Sequence, residues 1–217
     1  MKGLFNWNSR LMQGLAMVTN LVALNLLWII CCIPIFTAGA ATTALYHTVI
    51  QYHTQQDDAV FRPFFRAFRS NFKQATLLWL ATILPIGVVV FDLVYLISWE
   101  KGTPILFLLL ICVVFILGMQ LHLFPMIARF EMKAVALMRT AASLVLLHLP
   151  MTLLILMMNS FPIVVYAYDP MLFLRTSLAW IGIWFALVAF INGRILLKIW
   201  AKHMPPAADE QNIEENF

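Results

Sequence analysis

The sequence is poor in charged residues, which make up 11% of its 217 residues, whereas 63% are hydrophobic. A soluble domain carries about 25% charged residues, so this composition excludes an ordinary soluble protein. Several runs reach the roughly 20 apolar residues that a helix needs to cross a hydrocarbon core. The sequence therefore predicts an all-α, polytopic transmembrane bundle of about six helices, five plus a short or re-entrant one, with amphipathic interfacial helices. We expect one transmembrane domain, residues 1–201, and a disordered acidic tail, residues 202–217.

The sequence also lacks recognisable catalytic motifs. It has no phosphate-binding glycine loop, no His-Glu-x-x-His and no Gly-x-Ser-x-Gly. Its three cysteines, Cys31, Cys32 and Cys112, lie in apolar runs without histidines at metal-ligand spacing. We therefore expect no catalytic residues, no metal site, no cofactor and no enzymatic activity. The net charge of +4 comes from cations near the ends of apolar runs, a pattern typical of membrane topology and not of nucleic-acid binding.

A helical hairpin is predicted near the N-terminus. Pro34 removes a backbone donor, Thr37 follows it, and Gly39 permits a tight reversal, so a helix over residues 14–36 should break there. A second helix over residues 38–55 should follow. Its first half contains small residues at the spacing that allows helix backbones to approach closely. This helix is short, so both a crossing and a re-entrant arrangement stay open.

Polar residues within the apolar runs form a second group of candidates. Such residues pair with neighbouring helices or line a solute pathway. Interhelical hydrogen bonding is the favoured interpretation, and a polar pathway or sugar-contacting cavity is the alternative. The candidates are Asn25, Trp28, Thr42, Thr43, Gln120, His122, His148 and Asn192.

Residues 56–74 form an amphipathic segment in which phenylalanines and cations repeat at helical spacing. We expect a separate helix lying in the membrane surface, followed by a spanning helix from Ala75. Its cations, Arg62, Arg66, Arg69 and Lys73, are candidates for contact with anionic lipid headgroups or an acidic partner. A second surface segment, residues 129–139 with Arg129 and Glu131, should precede a helix over residues 140–158. A turn around Pro162, Asp169 and Pro170 should lead into the last helix.

The distribution of cations predicts the topology. If the second helix crosses, twelve lysines and arginines lie on one side and only Lys101 and Arg175 on the other. By the positive-inside rule, both termini should be cytoplasmic. The twelve are Lys2, Arg10, Arg62, Arg66, Arg69, Lys73, Arg129, Lys133, Arg139, Arg194, Lys198 and Lys202.

A weak internal repeat is also visible. Lys73 precedes an apolar run that reaches Leu84-Pro85, and Arg139 precedes a similar run that reaches Leu149-Pro150. Parallel repeats of this kind occur in transport-type folds. The repeat predicts that both prolines lie in equivalent hairpins.

One set of residues forms a pattern near the N-terminus: Leu24-Asn25-Leu26-Leu27-Trp28, Pro34, Thr37, Gly39, Ala40 and Ala44-Leu45-Tyr46. These residues resemble the opening motif of the YesL family of bacterial membrane proteins, a family of unknown function. The resemblance extends to Phe64, Phe65, Phe68, Asn71-Phe72-Lys73-Gln74-Ala75, Phe124-Pro125 and Ala128-Arg129-Phe130. Members of the family are often encoded beside sugar-uptake ABC transporters and polysaccharide-degradation systems, so the resemblance implies a link to carbohydrate import and a bacterial plasma membrane.

A second likeness concerns the segment after the fourth helix. Glu131 stands nineteen residues before Pro150, with Leu149 beside it, which resembles the EAA-type motif that docks sugar-importer permeases on their ATPase. The segment departs from that motif at Met132, Lys133 and Leu137. The resemblance implies ABC transporter subunits as partners, and a membrane sensor kinase is the other candidate.

Three functions remain at this stage. The favoured one is a noncatalytic accessory or permease-like component associated with carbohydrate uptake. An autonomous small-solute permease or channel is the alternative. A scaffold or sensor partner in the membrane is the third. Nucleic acid is not expected as a partner.

Overall fold

The computed structural model describes residues 10–55, 60–98 and 103–203, and within these ranges the ordered elements are all helical. The helices are α1 (Arg10–Cys32), α2 (Ala38–Gln55), α3 (Phe61–Ser98), α4 (Thr103–Arg129), α5 (Ala134–Leu147), α6 (Leu149–Tyr168), α7 (Pro170–Arg175), α8 (Ser177–Ala179) and α9 (Phe185–His203). A 3-10 turn (Ile35–Thr37) precedes α2, and a π-helical turn (Trp180–Trp184) joins α8 to α9. Residues 1–9, with Lys2, and 204–217 lie outside this description, as does Lys101.

The predicted fold class is confirmed. Five segments are long and apolar enough to cross a membrane, namely Gly14–Cys32, Phe61–Leu96, Ile105–Arg129, Leu149–Tyr168 and Ser177–Lys202. The sixth helix, α2, has 18 residues, about 27 Å at 1.5 Å per residue, and is less apolar. The chain is therefore a multi-pass membrane protein built from an all-α bundle.

The predicted break between α1 and α2 is confirmed. α1 ends at Cys32, four residues earlier than expected, and α2 spans Ala38–Gln55, as predicted. The Thr37 hydroxyl lies 2.6 Å from the carbonyls of Cys31 and Pro34 and donates to the Cys31 carbonyl, which the end of α1 leaves without a helical partner. The Pro34 carbonyl also accepts from the Thr37 N–H at 2.9 Å.

α2 lies at the centre of the bundle, against α1, α3, α4 and α9. Ala40, Ala41 and Ala44 are completely buried, so the small residues bring the neighbouring helices close to the α2 backbone. α2 is antiparallel to the first half of α3, because Gly39 adjoins Ala75 whereas the later part of α2 lies near the start of α3. A helix enclosed by others needs little apolar surface, which explains the lower hydropathy of α2.

The expectation of a separate surface helix before Ala75 is wrong. Residues 61–98 form one continuous helix, so the cationic segment and the spanning segment share an axis. The sequence between Asn71 and Ala75 contains neither proline nor glycine, and a change in polarity alone does not end a helix.

The region after α4 also differs from expectation. α4 ends at Arg129, residues 130–133 are not helical, and α5 begins at Ala134, so the segment 129–139 is not one surface helix. The helix predicted over residues 140–158 is instead divided at His148, where α5 ends and α6 begins. α6 then continues through Pro162 to Tyr168, so the turn begins later than expected, with Asp169 capping α7.

The predicted repeat is not reproduced. α3 continues through Pro85 without a break, whereas the chain breaks immediately before Leu149-Pro150. At the other end, α9 includes Lys202 and His203, two residues beyond the boundary expected for the transmembrane domain.

Candidate functional site: buried polar residues and the cationic face of α3

Asn25 of α1 is completely buried against the π-helical turn. Its Nδ2 donates to the Ile181 carbonyl at 2.6 Å, and its Oδ1 accepts from the Ala186 N–H at 2.9 Å. These two backbone groups are five residues apart, the spacing of a π-helical hydrogen bond. The Asn25 carboxamide thus inserts between them and satisfies both, which accounts for the widened turn at this point.

Trp28 and Thr42 join α1 to α2. The Trp28 indole N–H donates to the Thr42 hydroxyl at 3.2 Å, while the Trp28 ring packs against Phe185 with centroids 4.7 Å apart. The hydroxyl of Thr43, the next residue, donates to the Gly39 carbonyl of the same helix at 2.9 Å. Adjacent threonines therefore have different roles, one between helices and one within α2.

Gln120 and His122 of α4 contact different neighbours. Gln120 Nε2 donates to the Thr82 hydroxyl of α3 at 2.9 Å, and His122 Nε2 lies 2.9 Å from the Thr152 hydroxyl of α6. Both residues are buried. His122 Nδ1 has no hydrogen-bond partner among the described residues. Gln120 thus joins α4 to α3, and His122 joins α4 to α6.

Asn192 of α9 is completely buried beside Tyr46 of α2. Its Nδ2 donates to the Tyr46 hydroxyl at 3.5 Å, whereas its Oδ1 has no partner among the described residues. His148, the remaining intramembrane candidate, forms the break between α5 and α6. The eight polar candidates are thus distributed over several helix contacts.

A small cavity lies between α1, α2 and α9. Its volume is about 20 Å³, room for one water but not for a sugar. The cavity is lined by Met17, Asn20, Leu21, Leu24, Thr48, Val49, Tyr52, Val60 and Phe190, and none of the eight polar candidates contributes to it.

The hairpin residues bring α2 against α3. A Cβ added to Gly39 would lie 2.6 Å from Trp79 Cβ and 2.7 Å from the Ala75 carbonyl oxygen, so only glycine fits without movement. The Trp79 indole N–H donates to the Ile35 carbonyl at 2.9 Å. Pro34 itself is exposed. The break therefore lets α2 pack closely against α3, and Trp79 of α3 supplies a hydrogen bond to the Ile35 carbonyl within the break.

The cationic face of α3, defined as Arg62, Arg66, Arg69 and Lys73, is exposed throughout. Two phenylalanines beside it, Phe61 and Phe65, are 59% and 49% exposed, whereas Phe64 is completely buried. Phe68 and Phe72 are half-buried against the bundle. The phenylalanine stripe is thus divided between the core and the surface.

The linker between α4 and α5 lies beside α3. Gln74 Nε2 donates to the Met132 carbonyl at 2.9 Å. In this linker Glu131 is exposed, and the half-buried Arg129 places its guanidinium carbon 6.0 Å from the Phe130 ring centroid. Glu131 is outside a helix, unlike the helix implied by the likeness to the EAA-type motif.

Several contributing residues were not among the sequence candidates. Thr82 and Thr152 accept or share the hydrogen bonds of Gln120 and His122, and Trp79 secures the hairpin. A threonine in an apolar helix commonly bonds its own backbone, so its sequence context gave no sign of these partners. Helical spacing predicted the phenylalanine stripe. Which of its phenylalanines are exposed depends on the position of α3 in the bundle.

No group of three or more His, Cys, Asp or Glu side chains suited to a metal ion occurs within the described ranges. Cys31 and Cys32 are half-buried, and Cys112 is exposed on α4.

One family model matches the chain. It is described as "Protein of unknown function, DUF624" and covers residues 21–93, which include α2, the hairpin and most of α3. No curated protein matches, and no solved structure matches. The chain is therefore similar over about a third of its length to a family without an assigned function.

Proposed function

We propose that this chain is a noncatalytic accessory component of carbohydrate uptake in the bacterial plasma membrane, acting by association with ABC transporter subunits. The multi-pass helical fold and the match to a family of unknown function are compatible with a YesL-type protein. The link to carbohydrate comes from that resemblance. It makes transporter subunits the first partners to test.

The observation that carries the proposal is the exposed end of α3. Phe61 and Phe65 present apolar rings to the surroundings, and Arg62 and Arg66 flank them. Aromatic residues and arginine are enriched in protein interfaces, where rings fill pockets and guanidinium groups pair with carboxylates. This end of α3 suits an acidic protein surface with apolar pockets.

The proposed topology places this surface in the cytoplasm. With both termini cytoplasmic, the start of α3 and the α4–α5 linker lie on the side where transporter ATPases operate. Gln74 and Met132 already join the two segments. Exposed Glu131, next to Met132, would then lie on the same side of the membrane.

The experiment is co-purification of the tagged protein from sugar-grown cells in mild detergent, followed by mass spectrometry. The test variant reverses two charges, Arg62→Glu and Arg66→Glu. The matched control reverses two exposed cations elsewhere, Arg139→Glu and Lys198→Glu. We expect transporter subunits with the wild type and the control, and their loss with the test variant.

Equal recovery with a correctly inserted test variant would contradict the docking surface. Recovery of a sensor kinase in place of transporter subunits would contradict the transporter assignment and favour the scaffold or sensor alternative. Recovery of the protein alone would contradict both.

An autonomous small-solute permease is the alternative, and two buried polar atoms favour it. His122 Nδ1 and Asn192 Oδ1 have no partners among the described residues, although both side chains are completely buried. Such atoms suit transient contact with a solute or water. Liposomes containing only this protein should then conduct sugars, and His122→Leu or Asn192→Leu should impair the flux; no flux across a broad sugar panel would reject this alternative.

A further inference from the structure

The outward face of α3 changes character once along its length. The first part carries the cationic face, and the same side of the helix then becomes apolar. At 100° per residue, all these side chains fall within an arc of about 100°. The exposed apolar residues that continue the cationic face are Leu77, Leu80, Leu84, Val88 and Phe91.

The opposite side of α3 is buried along both parts. Phe64 and Ala67 beside the cations, and Ala75, Leu78 and Thr82 further on, are almost fully buried. They lie within an arc of about 80° that faces the bundle. One side of α3 therefore faces the protein along its whole length. The other side faces a polar environment up to Lys73 and an apolar environment from Leu77.

The end of α4 provides independent evidence for the position of this transition from charged to apolar residues. The apolar span of α4 ends at Arg129, and the linker that follows carries Glu131 and Lys133. The hydrogen bond from Gln74 to the Met132 carbonyl places this charged linker beside the transition on α3. Two segments thus change from apolar to charged at one place in the structure.

The length of the apolar part fits a bilayer. From Leu77 to the end of α3 at Ser98 the helix rises about 32 Å, compared with a hydrocarbon core of about 30 Å. Along the helix axis, Lys73 lies about 6 Å before Leu77, at headgroup depth. Arg69 lies about 12 Å before Leu77, and its long side chain can reach the headgroups. Arg66 and Arg62 are about 17 and 23 Å away, beyond the headgroups.

We propose that Lys73 and Arg69 bind the headgroups of anionic phospholipids, and that Arg66 and Arg62 do not. Lys73 and Arg69 are one helical turn apart on the lipid-facing side, so both can donate to one phosphate group. The exposed leucines that follow contact the acyl chains. This inference is independent of the transporter association, since it rests on the position of α3 in the bilayer.

Native mass spectrometry of the full-length protein in mild detergent, titrated with phosphatidylglycerol, tests the site. The test variant is Arg69→Gln with Lys73→Gln, and the matched control is Arg62→Gln with Arg66→Gln, which removes the same charge from the same face. We expect the test variant to bind phosphatidylglycerol at least about fivefold more weakly than the wild type and the control to be unchanged. Phosphatidylcholine should show no such difference.

Equal weakening by both pairs, or no weakening by either, would overturn the proposal. Inorganic phosphate at millimolar concentration should not displace the lipid; displacement would indicate a site for free phosphate and would also overturn it.

A second measurement does not depend on lipid affinity or on the stability of the double variants. Spin labels at single cysteines, Arg66→Cys, Lys73→Cys and Leu77→Cys, each made after replacing the three native cysteines, report depth in liposomes. We expect the label at residue 77 to be accessible to oxygen and the label at residue 66 to be accessible to a water-soluble relaxant. The label at residue 73 should have intermediate accessibility to both. Equal water exposure at all three positions would remove the boundary on which the proposal depends.

Discussion

Gly39 of α2 lies so close to Trp79 of α3 that a methyl group added at residue 39 would sit 2.6 Å from the tryptophan Cβ. The Ala75 carbonyl oxygen is almost as near, so backbone atoms as well as a side chain would have to move. Gly39→Ala should therefore separate α2 from α3 and lower the free energy of unfolding by about 1 to 3 kcal/mol.

Thermal unfolding in detergent measures this effect, and α3 offers a matched control. Gly87 has nothing within 4 Å of a Cβ added there. Gly87→Ala should leave the melting temperature unchanged or raise it slightly, because alanine is the better helix former by about 1 kcal/mol. Equal effects of the two substitutions would contradict the close contact between α2 and α3.

Asn25→Leu should destabilise the contact between α1 and α9. The substitution leaves the Ile181 carbonyl and the Ala186 N–H without their side-chain partner, and we expect a loss of about 1 to 2 kcal/mol. Thr43→Val is the control, since it removes a hydrogen bond within α2 only. Unfolding curves that rank Thr43→Val as the more damaging change would argue against the insertion of Asn25 into the π-helical turn.

The bond between Gln120 and Thr82 should show an asymmetric response. Gln120→Leu leaves Thr82 able to donate to the Leu78 and Trp79 carbonyls of its own helix, so the loss should be about 0.6 kcal/mol. Thr82→Val leaves a buried amide without its acceptor, and the loss should be about 1 to 3 kcal/mol. A double-mutant cycle measures the coupling, and additive losses would contradict a direct bond.

The topology can be tested by labelling. After replacement of the three native cysteines, single cysteines at Gly102 and Asp169 should react with a membrane-impermeant reagent added to the outside of intact cells. In the proposed arrangement both positions lie on the side of the membrane opposite the termini. Reaction only after the cells are opened would refute that arrangement.

Local sequence predicted the α1–α2 break well because its cause is local. Pro34 and Gly39 restrict or permit backbone conformations wherever they occur, and the observed bounds of α2 match those predicted. Proline alone was less informative elsewhere. α3 and α6 continue through Pro85 and Pro162, whereas Pro150 lies at the start of a helix, where its missing N–H is harmless.

Other features could not follow from local sequence. Helical spacing predicted the phenylalanine and arginine stripes correctly, but the polarity of the segment suggested a helix separate from the span. The π-helical turn was not foreseen, because it depends on Asn25, more than 150 residues earlier in the chain. The pairing of His122 with Thr152 likewise depends on how α6 packs against α4, which local sequence does not show.

The position of Asn25 has a consequence for biosynthesis. Its carboxamide belongs to α1, yet its partners, Ile181 and Ala186, lie more than 150 residues later in the sequence. At about 5 to 20 residues per second, roughly 8 to 30 s of translation separate the two. Throughout that interval α1 carries an amide whose final partners have not been synthesised, so its contact with the π-helical turn and α9 forms only after those residues have been made.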